Sequence, residues 1–107
     1  MSEIFKALAD QNRLAVFALL SCCELCACDL LKQLNIHQTT LSHHMKVLTD
    51  CGLVRARRDG KCTYYALNIA AVRRCEEFFI AARSKACHCG PNCNCEHCAS
   101  HGGGAVQ

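Results

Sequence analysis

Apolar side chains recur at helical spacing along the first half of the chain. Ile4, Phe5 and Leu8 form a short run that breaks near Asp10. Leu14, Val16, Phe17 and Leu20 then predict a second helix, with Asn12 as its cap. Leu30, Leu31 and Leu34 stand at i, i+1 and i+4 and predict a helix from about Ala27 to Leu34. After Asn35-Ile36-His37, Leu41, Met45 and Leu48 predict a helix over Gln38–Asp50, with Gly52 just past its end. Two helices joined by so short a turn have the form of a helix-turn-helix. The period then changes: Leu53–Arg58 and Lys61–Leu67 flank Asp59-Gly60, a strong β-hairpin signal. Ile69, Val72, Phe79, Ala82 and Ala86 trace one stripe of a last helix. The order predicts a mainly α fold with a β-hairpin, a winged helix-turn-helix over residues 1–86. Residues 87–107, rich in Cys, His, Gly and Asn, read as a flexible tail that lacks the apolar content to fold alone.

On a helical wheel, Met45 and Leu48 fall within ~40° of Leu41. Thr39, His43, Lys46 and Asp50 fall opposite, with Gln38, Thr40 and Ser42 between. Amides and hydroxyls on such a stripe suit the base edges of a major groove, and a lysine suits phosphate. The charge distribution points the same way. Residues 37–74 carry seven lysines and arginines against two carboxylates, whereas each flank carries one more carboxylate than lysine and arginine. Arg57, Arg58 and Lys61 sit at the hairpin, where a wing lies along the flanking backbone. The candidate DNA contacts are therefore Gln38, Thr39, Thr40, Ser42, His43, Lys46, Arg57, Arg58 and Lys61, with double-stranded operator DNA as partner.

Composition departs from the ordinary in its 12 cysteines out of 107 residues. Seven lie among the regular patterns of residues 1–75 and five crowd into 87–98, unlike the spread of a disulfide framework. The nearest approach to an export signal is Leu14–Leu20 before Ser21-Cys22, but that run is short and follows a segment carrying Glu3 and Asp10. No stretch approaches the ~20 apolar residues of a membrane span. A cytoplasmic protein with reduced thiols is expected. No nucleophile–base pair or phosphate-cradling loop marks it as an enzyme.

Four segments together resemble the ArsR/SmtB family of bacterial metal-responsive repressors: Phe5–Leu14, Glu24–Leu30, Gln38–Met45 and Cys51–Val54. The most specific is Glu24-Leu25-Cys26-Ala27-Cys28-Asp29-Leu30. In the family, this motif marks members that respond to trivalent arsenic and antimony or to soft divalent ions such as cadmium and lead. The resemblance implies a homodimer with the first and last helices at its interface, hence Ile4 and Phe5 with Phe78 and Phe79. Two adjacent phenylalanines near the end of the last helix fit burial against a two-fold partner. The resemblance also implies repression of a resistance operon, relieved by metal. The sequence departs from family patterns in four places. Leu31 stands where some arsenic sensors have a third cysteine. No cysteines of an N-terminal arm precede the first helix. Residues 69–86 lack the Asp and His of zinc sensors, and His37 replaces the usual Ser or Thr cap.

Cys26 and Cys28, two residues apart, diverge by ~200° on a regular helix. A shared ion therefore needs a non-helical start or an unwound first turn. Three thiolates satisfy trivalent arsenic, and soft ligands select soft ions. Candidates for the third are Cys22 and Cys23, or Cys87, Cys89, Cys93, Cys95 and Cys98 of the tail; Cys51, Cys62 and Cys75 read as small core residues. The expected function is a homodimeric repressor released from DNA by As(III) or Sb(III). Alternatives are the same scaffold sensing Cd(II), Pb(II), Zn(II) or a methylated arsenical, or a thiol-rich metal-buffering or redox-sensing protein.

Overall fold

The computed structural model describes residues 1–86. The elements run α1 (Ser2–Leu8), α2 (Gln11–Leu20), β1 (Leu25–Cys26), α3 (Ala27–Leu34), α4 (Gln38–Asp50), β2 (Val54–Asp59), β3 (Cys62–Leu67) and α5 (Ile69–Lys85). The helix-turn-helix is α3 and α4, and the wing is the β2–β3 hairpin. The chain divides into two units, Met1–Cys75 and Glu76–Gln107. The five tail cysteines lie outside the described residues.

The core of the first unit forms from the apolar stripe of each element: Ile4 and Ala7, Val16 and Leu20, Leu30, then Leu41, Met45 and Leu48, closed by Leu53, Val54 and Ala71. Leu30 and Leu48 are fully excluded from solvent. Two expected core positions are not in it: Leu14 is 50% exposed and Ile69 61%. Ile4, expected at a dimer interface, is instead 2% exposed within this core, so its side chain is spent on packing α1. Phe5, one residue on, is half-buried.

Helix ends explain how the chain turns. Asp10, not Asn12, caps α2: its backbone is extended and its carboxylate accepts from Asn12 N at 2.8 Å and Arg13 N at 3.2 Å. A carboxylate two residues upstream reaches the unpaired N–H groups of the first turn, as a cap must. Asn35 ends α3 in the left-handed conformation, φ 55°, which asparagine tolerates better than most residues. Beyond α4, Gly52 at φ 85° lets Leu53 N bond Leu48 O and Gly52 N bond Thr49 O. That paired closure, with Leu53 packed over Leu48, delivers the chain into β2.

The sheet has three strands rather than two, in the order β1-β3-β2, all antiparallel. Leu25 pairs with Tyr65 and Cys26 with Tyr64. Two residues are too few for a periodic signal, so β1 is invisible in the sequence. The hairpin closes one residue later than expected: Asp59 pairs Cys62, leaving Gly60 and Lys61 as the loop, with Gly60 at φ 65°. A glycine first in a two-residue loop supplies the positive φ that matches strand twist.

Candidate nucleic-acid interface and thiol cluster

Burial divides α4 as the wheel anticipates. Leu41, Met45 and Leu48 are buried, while Gln38, Thr39, Thr40, Ser42, His43 and Lys46 are all exposed. Lys46 Nζ bonds Asp50 Oδ2 at 3.2 Å, one turn on. Both groups are largely in solvent, so the pair is weak and exchanges readily for a phosphate.

His44 belongs to the other face and is 6% exposed. Arg13 donates through Nη1 to His44 Nδ1 at 3.0 Å and through Nε to Ala7 O at 2.6 Å. His44 Nε2 lies 3.9 Å from Asp10 Oδ1. This knot ties the end of α1 and the start of α2 to the middle of α4. Partial desolvation pushes the Asp10 carboxyl up, but the Arg13 and Asn12 N–H bonds and the charge of Arg13 outweigh it, and the carboxyl stays below its ordinary 3.8. The sequence reading left His44 out. At 60° from Leu41 on the same wheel, it already falls on the buried side.

The three wing cations are not equivalent. Arg57 reaches across the sheet to Glu24, Nη2 to Oε1 at 2.9 Å and Nε to Oε2 at 3.4 Å, and its Nη1 lies 3.5 Å from Asp59. Its guanidinium also sits 4.8 Å from the centre of the Tyr64 ring. The Glu24 hydrogen bond and charge raise its pKa further, so Arg57 is held to the protein as a permanent cation. Among the described residues, Arg58 and Lys61 have no ion pair and both are exposed.

The motif cysteines occupy a junction. Cys26 ends β1 and caps α3 with extended backbone, φ −88° and ψ 166°. Its thiol donates to Asp29 Oδ2 at 3.2 Å. Cys28 lies exposed in the first turn of α3. The divergence expected of two helical residues therefore does not arise, because the first is not helical. Cys22 and Cys23 are exposed and line an open groove of about 390 Å³ with Leu19, Leu25, Asp29 and Lys32. Among the described residues, no three Cys, His, Asp or Glu side chains already stand together as an ion site. In the second unit, Phe78 and Phe79 stack edge to face at 5.5 Å and are 50% and 58% exposed.

Comparison with known proteins accords with this geometry. Residues 10–56 match the arsR family of bacterial regulatory proteins. An arsenical resistance operon repressor of Staphylococcus aureus is 54% identical over 70 residues, 65% of this chain and 67% of that protein. A cadmium resistance transcriptional regulatory protein CadC homolog, also from Staphylococcus aureus, is 34% identical over 80% of this chain and 73% of its own length. The structure of HlyU from Vibrio cholerae superposes with a TM-score of 0.65 at 29% identity, covering 73% of this chain and 85% of that one. No described helix is long and apolar enough to cross a membrane. The chain belongs to the ArsR family of bacterial transcriptional regulators, and is not an enzyme.

Proposed function

We propose that this chain is a homodimeric repressor of a metal(loid)-resistance operon, released from operator DNA when As(III) or Sb(III) binds the Cys26 and Cys28 thiolates. The observation that carries the reading is the extended backbone of Cys26 at the cap of α3. It frees the pair from the opposed directions of a regular helix, so two thiolates reach one soft ion when the Cys26–Asp29 hydrogen bond opens. That rearrangement occurs in the helix that supports α4. The exposed stripe from Gln38 to Lys46 reads base edges in this scheme, and Arg58 and Lys61 lie along the backbone. Arg57 is better spent on Glu24. Phe5, Phe78 and Phe79 supply apolar surface for a two-fold partner. Cytoplasmic residence keeps the thiols reduced.

A second reading keeps the scaffold and changes the inducer to Cd(II) or Pb(II); the cadmium-regulator relative, aligned over 80% of this chain, favours it. One experiment separates the readings. A gel shift on the chain's own promoter, repeated with As(III), Sb(III), Cd(II), Pb(II), Zn(II) and peroxide, is expected to show release by the trivalent ions at the lowest concentration. Cys26→Ser/Cys28→Ser should bind the operator yet require at least tenfold more As(III) for release. Release of the double variant at the wild-type concentration overturns the site. Light scattering at micromolar protein should give a dimeric mass.

A further inference from the structure

Strand register brings a third thiol to the motif cysteines from an unexpected element. Cys26 pairs with Tyr64, and residues directly opposite on neighbouring strands project to the same face. Cys62 is two residues along β3 from Tyr64 and therefore shares that face. Continued for two more residues, the register would set residue 28 opposite Cys62; instead the chain enters α3, and Cys28 lies in its first turn at that end of β1. Helix α3 packs on β3.

We propose that Cys62 of the wing is the third thiolate, completing with Cys26 and Cys28 a pyramidal site for a trivalent metalloid. This rests on the reading of Cys26 and Cys28 given above. Arsenite, As(OH)3, exchanges its three hydroxyl groups for three As–S bonds. Each thiol gives up its proton, three waters leave, and arsenic stays at +3. Diagonal neighbours across a sheet sit about 7–8 Å apart, too far for one ion, so ligation draws β3 toward the first turn of α3. The residues that move with β3 are those of the wing tip, Arg58 and Lys61 included. Binding is thereby converted into displacement of the wing, a differential contact of the kind ligand-driven release requires.

The test uses the full chain with one equivalent of sodium arsenite. X-ray absorption at the arsenic edge should find three sulphur neighbours in the wild type, and two sulphurs and one oxygen in Cys62→Ser. In the gel shift, Cys62→Ser and Cys62→Ala should each raise the arsenite needed for half-release at least tenfold, each scored against its own arsenite-free affinity. Three sulphurs and an unshifted midpoint in both variants would overturn the proposal and pass the third position to Cys22, Cys23 or the tail. The two readings fail differently. If Cys26→Ser/Cys28→Ser is insensitive while the Cys62 variants respond normally, only the wing ligand is lost. If all variants respond normally, the motif site falls with it.

Discussion

His44 is the residue whose role the chain hides best. A histidine inside a stripe of Gln, Thr, Ser and Lys looks like one more DNA contact, the role proposed for His43 beside it. Its buried position follows from the period of the helix, but its partner, Arg13, lies 31 residues away on another element. No local pattern announces such a bond. Replacing His44 by leucine keeps the volume and strands an Arg13 donor in a partly buried place, at a cost of about 1–3 kcal/mol. His44→Asn restores an acceptor near the position of Nδ1 and should recover more than half of that loss. Urea denaturation of the two variants decides the matter: equal destabilisation would mean the ring is only filling space.

Among elements, those with long periodic patterns were legible. Helix α4 occupies the expected span, and its buried and exposed faces match the wheel. Strand β1 was not, because two residues carry no period and what defines them is their pairing with β3, distant in sequence. Missing it hid two neighbourhoods: that of Cys62, two residues from the partner of Cys26, and that of Arg57, bonded to Glu24. Both depend on which strand lies beside β3. The wing and α4 can be tested together through salt. If Arg58 and Lys46 each neutralise a phosphate, Arg58→Ala and Lys46→Ala should each flatten the plot of log affinity against log salt by about 1.8, two contacts being lost per dimer. Arg57→Ala should leave that slope nearly unchanged and lower the thermal midpoint, since its partners are Glu24 and Tyr64. An Arg57 slope change equal to that of Arg58 would return it to the DNA.

At the scale of the whole molecule, the order β1-β3-β2 leaves β2 as an outer edge, with a row of backbone donors and acceptors that no other strand among the described residues covers. Every residue of β2 after Val54 is exposed, and four of those five are charged: Arg55, Arg57, Arg58 and Asp59. Open edges recruit further strands, and charged side chains are one way proteins prevent it. The arginines that would meet nucleic acid thus also keep the molecule from polymerising when no nucleic acid is near. If metal displaces the chain from its operator as proposed, the polyanion that would shield this edge is lost, and those side chains are what guards it. Arg55→Val/Arg58→Val should fold normally by circular dichroism when dilute. Concentrated, it should scatter light increasingly over hours, and short duplex DNA should slow that growth less than added arginine does.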